Sequence, residues 1–411
     1  MRILYITNGF PFPITSGYLR HYHFIRGLSA RHEITLLSMV GPDHRAHHRA
    51  AISPYLSGLA VYRRTVQDSR RARLGDRLTR LAPVRATGGL RELLADARAL
   101  VDSREVDVVL FSGKQTYPAL AGIEGIPVLA DACDTASARI MMGLRRRRLS
   151  RGVKVATDLV EAAAVRWVER QIVGRADHAM FASERDRRLL GSEGAGTSVV
   201  PNGVDTTFWR RSRAHRGKDS IVFTGKLDYA PNVDAATTLV NDIMPVVWRR
   251  VPEATVRIVG RDPAPAVRAL ASPSRVEVTG EVPDVRPYLE GASVFAAPLR
   301  FASGIQNKLL EAMSMEVPVV TSPVAAAGLV ASDGEFPPVA VGAGTADFAD
   351  RLVGELRRTR TDASPRAVNR EFVTRRFDWN RSVERIEALL SGITAGVAAT
   401  RSPAVDAEEV A

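Results

Sequence analysis

Apolar runs of strand length alternate with helix-length segments along most of this chain, and that alternation constrains the fold more than any single motif. In the first half the runs fall at about 2–7, 33–40, 106–111, 126–130, 177–181 and 197–200. The second half repeats the plan near 220–224, 255–259, 275–279, 293–297 and 317–320, with no shorter internal repeat beyond this duplication. Continuous apolar strands separated by helices belong to a parallel sheet covered on both faces. A chain of 411 residues is too long for one ordinary domain, and 45% hydrophobic residues supply two cores. The expected class is therefore α/β with two domains, whose ligands lie beyond the carboxyl ends of the strands.

The stretch from Ser303 through Gly304, Ile305, Gln306, Asn307 and Lys308 to Glu311 reads as a glycine turn that opens a helix. Ile305, Leu309 and Met313 make one apolar stripe, while Asn307 and Glu311 share another face with Lys308 beside them. A helix starting near Gly304 would offer free backbone N–H groups and the positive end of its dipole to a phosphate. On that reading the Glu311 carboxylate lies about 10 Å along the axis, close to the span from a diphosphate to a ribose. Its oxygens could accept two sugar hydroxyls. The alternative is an ordinary amphipathic helix with solvated charges.

The surrounding motifs decide between these readings. Val200-Pro-Asn-Gly-Val-Asp205, Phe223-Thr-Gly-Lys-Leu227, Val256-Arg-Ile-Val-Gly-Arg261, Val278-Thr-Gly-Glu-Val-Pro-Asp-Val285 and Val294-Phe-Ala-Ala-Pro-Leu299 precede the Ser303 helix in order. This C-terminal half resembles the retaining family 4 glycosyltransferases, and the Asn-Lys spelling before Leu-Leu-Glu-Ala-Met looks closest to bacterial exopolysaccharide-associated sugar transferases. The resemblance implies the GT-B architecture, two Rossmann-like domains facing across a cleft. Residues 1–198 would form the acceptor-side domain, joined by a crossover helix at 376–391. Residues 199–375 would bind the nucleotide sugar, and 392–411, rich in Ala, Gly, Ser, Thr and acidic residues, would be a disordered tail. The implied activity is transfer of a sugar from a nucleoside diphosphate to a hydroxyl. A catalytically silent nucleotide-binding scaffold and a nucleotide-sugar epimerase are the alternatives.

The leaving diphosphate is the electrostatic problem, because negative charge builds on it as the glycosidic bond breaks. No Asp-x-Asp pair follows a strand, so a metal-independent reaction is expected, with the nucleotide sugar as co-substrate and no cofactor. By resemblance Lys226, after Gly225, stands where the family carries Arg and would neutralise the diphosphate. The family's Lys five residues later is Pro231 here, and Lys308, Arg300 and, less directly, Arg261 are the candidate replacements. The family's Glu-x7-Glu pair is incomplete, since Ser303 stands eight residues before Glu311. A hydroxyl can bond the donor sugar but cannot offset its positive charge. The loop at Val282 would offer backbone groups to the base, which leaves UDP and GDP unseparated; a plain helix-entry turn before Pro283 fits the same spelling. Gly17, in the first strand-to-helix turn, would face Gly304 across the cleft.

On the acceptor side, Asp131 and Asp134 follow a strand and are expected near the cleft, Asp131 as a catalytic candidate, although Asp134 could instead cap the next helix. Arg20 and His21 could reach the donor sugar or the acceptor, or lie on the surface. His44, His47 and His48 look metal-like but have no carboxylate or thiol nearby in sequence, and no metal is expected. The net charge of +12 gathers at Arg145–Arg148 within Arg139–Lys154 and again in 63–80. An anionic membrane or a lipid-linked acceptor would attract such clusters, as would nothing at all if they form a solvated face. Nucleic acid is not expected, because no aromatics interleave with them. The single cysteine, Cys133, excludes an internal disulfide. With no membrane-length apolar run and no signal-peptide pattern after Met1, the expected location is cytoplasmic, at most peripheral to the inner membrane face.

Overall fold

The computed structural model describes residues 1–14, 18–42, 44–63, 88–146, 152–192, 194, 196–212, 219–331, 333–362, 364 and 366–401. Its first sheet contains β1 (Arg2–Thr7), β2 (Glu33–Val40), β3 (Gly58–Arg63), β4 (Val108–Ser112), β5 (Val128–Cys133), β6 (His178–Phe181) and β7 (Thr197–Val199). Their spatial order is β3-β2-β1-β4-β5-β6-β7, all parallel. The second sheet contains β8 (Ser220–Thr224), β9 (Thr255–Val259), β10 (Val276–Val278), β11 (Val294–Ala297), β12 (Val319–Thr321) and β13 (Ala340–Val341), ordered β10-β9-β8-β11-β12-β13 and also parallel. Each sheet reverses its direction of growth beside its first strand, at β1/β4 and β8/β11. Crossover connections leave these points free, so each opens a crevice at the carboxyl ends of the strands.

The strands form where the sequence is continuously apolar, and both faces of each sheet are dry. Leu4, Ile6 and Phe111 pack on one side of the first sheet, and Ile3, Tyr5, Leu36 and Leu110 on the other. Phe223, Phe295, Phe348 and Phe372 anchor the second core. Each such side chain contributes about 1.5–3 kcal/mol by leaving water. Two strands escape sequence reading. β3 lies at the edge and is mostly half-buried, so it lacks an uninterrupted apolar run, and β13 is only two residues long.

The chain end departs from expectation in two ways. The crossover helix expected at 376–391 runs over Trp379–Arg401, and a separate helix, Ala367–Arg376, precedes it, the two divided by Phe377 and Asp378. Phe372 and Phe377 belong to the second core, whereas Trp379, Val383, Ile386 and Leu390 fill the first. No single straight helix can present both sets, so the backbone breaks at Phe377, and the Asp378 carboxylate restarts the helix by accepting the Asn380 N–H at 2.9 Å. The second departure is that residues 392–401, expected in a disordered tail, continue the helix. Ile393 packs against the first core and the Thr394 hydroxyl bonds back to the Leu390 carbonyl at 2.9 Å, which extends the packed face past Ser391. Residues 402–411 lie outside the described residues, as do Gly17, residues 147–151 of the first basic cluster and residues 64–80 of the second.

Candidate active site

The crevice at β8/β11 is built from glycines that let backbones touch. Gly225 and Gly260 end β8 and β9 with φ of 156° and 155°, and a Cβ on Gly260 would stand 1.7 Å from the Gly225 carbonyl oxygen. Only glycine permits that approach. After Gly225, the helix Ala230–Thr238 carries Pro231 in its first turn, a place that suits proline because the N–H there has no helical partner. The position where a second cation was expected is therefore spent on starting a helix.

Lys308 lies beside the Gly225 loop. Its Nζ donates to Asn232 Oδ1 at 2.5 Å, lies 4.5 Å from the centre of the Phe223 ring, and would be 2.8 Å from a Cβ on Gly225. Asn232 in turn donates to the Lys226 carbonyl at 2.9 Å, tying the glycine loop to the lysine. The other candidate cations are already neutralised. Lys226 pairs with Asp228 at 2.8 Å and has Asp262 at 3.8 Å, Arg300 holds Asp234 with one bond of 2.8 Å, and Arg261 lies 3.9 Å from Asp262. Glu311, one turn along from Lys308, has no hydrogen-bond partner for its carboxylate among the described residues. Burial pushes the Lys308 ammonium down to about 7 and the Glu311 carboxyl up to about 7, each partly offset by the other's charge.

The helix begins at Asn307, three residues later than the sequence suggested. Gly304 sits at φ 64°, and its N–H donates to Asp186 at 3.1 Å rather than standing free. Glu311 is thus about 6 Å beyond the helix start, not about 10 Å. Asn307 is buried and accepts from Asn202 of the linker at 2.9 Å, and Ile305 belongs to the donor-side core, so neither presents its side chain freely to a ligand. Val282 is half-buried in the loop after β10, packed against the same core.

Across the cleft the sequence-predicted residues separate. Asp131 is fully engaged by Arg20, whose Nε and Nη2 reach its two oxygens at 2.8 and 3.0 Å, and Arg20 also donates to Val200 and Asn202 of the linker. This nearly dry ion pair fastens the linker to the first domain. His21 is likewise internal, its Nδ1 2.7 Å from the Tyr5 hydroxyl, and burial lowers it to about 4. Neither Asp131, Arg20 nor His21 is placed as an acceptor-side or catalytic group. Asp134 is. It does not cap the following helix, Ala136–Arg146, because the Glu169 carboxylate takes the Ala136 N–H at 2.8 Å and Asp186 takes the Thr135 N–H at 2.9 Å. Instead Asp134 accepts the Ser303 hydroxyl at 2.6 Å from the opposite domain and the Lys114 ammonium at 3.1 Å. Burial works to raise its carboxyl, and Lys114 and Ser303 outweigh that, bringing it down to about 2.

Lys114, Glu169, Asp186, Asn202 and Asn232 escaped sequence reasoning. One had a signal: Phe111-Ser-Gly-Lys114 at the end of β4 echoes Phe223-Thr-Gly-Lys226 at the end of β8, an internal repeat that the sequence reading passes over. His44 meets the Phe10 ring edge-on and His48 lies tilted against Phe12, and among the described residues no three His, Cys, Asp or Glu side chains converge as metal ligands.

Comparison with known proteins fits this geometry. Residues 218–357, the second sheet and its crevice, match the family model described as glycosyl transferases group 1. Over those residues the chain is similar to that family. The chain is 29% identical over 244 residues to the phosphatidyl-myo-inositol mannosyltransferase of Mycobacterium tuberculosis H37Rv, covering 55% of its own length and 61% of the relative's. The Mycobacterium leprae protein of the same name is 28% identical over 222 residues. The chain thus spans under two thirds of these curated relatives. In fold it is similar to Anabaena HepE, solved with UDP and glucose, with a TM-score of 0.64 and 14% identity over 95% of this chain and 100% of that one. Sucrose-phosphate synthase from Thermosynechococcus elongatus gives 0.64 and 14% over 96% and 100%. Both likenesses show the architecture, two Rossmann-like domains of the GT-B type.

Proposed function

We propose that this chain transfers a sugar from a nucleoside diphosphate sugar to a hydroxyl acceptor with retention at the anomeric carbon, without a resident metal. The observation that carries the reading is the pairing of Lys308 with Glu311 on one helix behind the Gly225 loop. It offers a diphosphate a cation held by no carboxylate contact and offers a ribose an unpartnered carboxylate. The exposed Lys226 can turn from Asp228 toward the leaving group as charge develops there. The names of the relatives, a lipid mannosyltransferase among them, support a role in assembling cell-envelope, exopolysaccharide or other glycosylated products.

The acceptor domain would then meet an anionic surface, and a lipid-linked hydroxyl would be its substrate. Among the described residues no helix is long and apolar enough to cross a membrane. Leu159, Val160 and Trp167 are exposed on the helix Gly152–Arg175, which follows Arg145–Arg148 in sequence. Apolar side chains next to a basic run suit peripheral docking.

The test is a panel of UDP- and GDP-sugars incubated with purified protein. Transfer or slow hydrolysis of one donor, with Glu311→Ala weakening nucleotide affinity at least about tenfold, is the expected outcome. Nucleotide binding with neither reaction would instead establish a silent scaffold, and isomerised donor without an acceptor would establish an epimerase.

A further inference from the structure

Ser303 leaves the donor loop without a carboxylate at the position just before Gly304, yet a carboxylate is present there. It comes from the other domain. Asp134 Oδ2 accepts the Ser303 hydroxyl at 2.6 Å, and the Gly304 position is so close that a Cβ added to it would meet the Asp134 Cβ at 3.3 Å. We propose that Asp134 is a catalytic residue of the transfer reaction, an acceptor-domain carboxylate that faces the donor sugar and offsets the positive charge its ring acquires. This inference rests on the glycosyltransferase reading of the same cleft.

Three features single out Asp134 among the acidic groups nearby. Asp131 is consumed by Arg20, and Asp186 by the N–H groups of Thr135 and Gly304 together with the Ser183 hydroxyl, whereas about a third of the Asp134 side chain remains open to the cleft. The backbone is strained to aim it. Cys133 lies at φ 56°, a left-handed conformation a non-glycine residue adopts at a cost of about 1–3 kcal/mol, and the pairing of β5 with β6 slips between Asp131 and Cys133. The slip sends Asp131 to the Arg20 pair and Asp134 to Ser303. Finally, the carboxylate is braced from behind: Lys114 donates to the Asp134 carbonyl at 2.8 Å and to its Oδ1 at 3.1 Å, and is itself steadied by Glu169 at 3.5 Å. A group fixed in this way stabilises developing charge with little reorganisation.

The step balances without any further reactant. The bond from the anomeric carbon to the diphosphate oxygen breaks, and its electron pair leaves with the diphosphate. The acceptor oxygen bonds to that carbon, and its proton passes to the departing phosphate oxygen. Asp134 stays ionised throughout and neither takes nor gives a proton. Ser303 is the positioning residue that holds it until a donor sugar displaces the contact.

The experiment uses the full chain with the UDP- or GDP-sugar found active in the donor panel, and reads kcat and KM, nucleotide affinity by calorimetry and thermal midpoint. Asp134→Asn is expected to lower kcat about 10²-fold, the scale of removing one charge-stabilising group, with KM and nucleotide affinity within about threefold. The double variant Asp134→Asn with Ser303→Glu moves the carboxylate to the donor side of the same contact. It should recover at least about tenfold of the lost kcat, a rescue that a merely structural role would not give. Asp134→Asn with unchanged kcat overturns the inference and leaves the glycosyltransferase reading intact. A folded double variant no faster than Asp134→Asn also overturns it, and this arm decides if the single variant is unstable. A wild-type protein inert to every donor overturns both.

Discussion

At the scale of single residues, the donor crevice depends on atoms that are absent. Gly260→Ala would drive a methyl group into the Gly225 carbonyl, and backbone cannot yield as a side chain can. The expected result is a loss of about 2 kcal/mol or more in stability together with weakened nucleotide binding; a variant with wild-type melting and affinity would show that the two strand ends are looser than described. Charge sets a second constraint. Lys308 with its pKa lowered to about 7 is protonated, and able to hold a diphosphate, only below that pH, so affinity should fall as pH rises above about 7. Glu311 with its pKa raised to about 7 is ionised only above that pH, so affinity for the ribose should fall as pH drops below about 7. Binding of a nucleotide sugar measured by calorimetry across this range should therefore peak near neutrality. Lys308→Met is expected to remove the alkaline limb and Glu311→Gln the acidic one. A flat profile in the wild-type protein would refute both assignments.

At the scale of elements, what can be read from sequence is what is local. Strands such as β1, β2 and β8 announce themselves because both their faces are buried, and the Lys308–Glu311 spacing places both groups on one helix whatever surrounds it. Distant partnerships leave no such trace. Nothing in the spelling of Asp131 or Asp134 reveals that a slip in β5 pairing turns one toward Arg20 and the other toward Ser303, 169 residues away. The start of the Asn307 helix was misplaced for the same reason, since the Gly304 N–H is claimed by Asp186, a residue 118 positions distant. Close packing is equally hidden. The helix Leu19–Leu28 meets the helix Trp379–Arg401 where Gly27 lies under Val383, and a Cβ on Gly27 would come within 2.5 Å of the valine methyl. Gly27→Ala should cost about 1–3 kcal/mol through overpacking, and Val383→Ala in the same chain should return part of it. Denaturant midpoints of the wild-type chain, Gly27→Ala, Val383→Ala and the double variant test this, and additive losses would exclude a direct contact.

At the scale of the whole molecule, the two domains are held face to face by polar contacts: Ser303 with Asp134, Gly304 with Asp186, Arg185 with the Ala302 carbonyl at 3.1 Å, and Asn202 with Asn307. Contacts of this kind exchange readily with water and favour relative motion. Removing one of them with Arg185→Ala is expected to open the cleft, measured as a larger radius of gyration by solution scattering without nucleotide, while melting shifts little. An unchanged radius would mean that the hinge, not these bonds, sets the angle.

The chain passes between the domains twice, at Val200–Asp205 and again at Phe377–Asp378, and the Val204 N–H bonds the Phe377 carbonyl at 2.8 Å. The second passage carries Trp379, Val383, Ile386 and Leu390 back to fill the core face made by Phe24, Ile25 and Leu28. On a ribosome the order of emergence is therefore the reverse of the order of completion. The domain that is translated first must wait, with an open apolar face, until Leu390 has left the exit tunnel, while the donor domain can close as soon as Phe377 emerges. A nascent chain halted shortly after Phe377 should thus hold a finished second domain beside an unfinished first one, a state in which a chaperone would find its grip on the first domain alone.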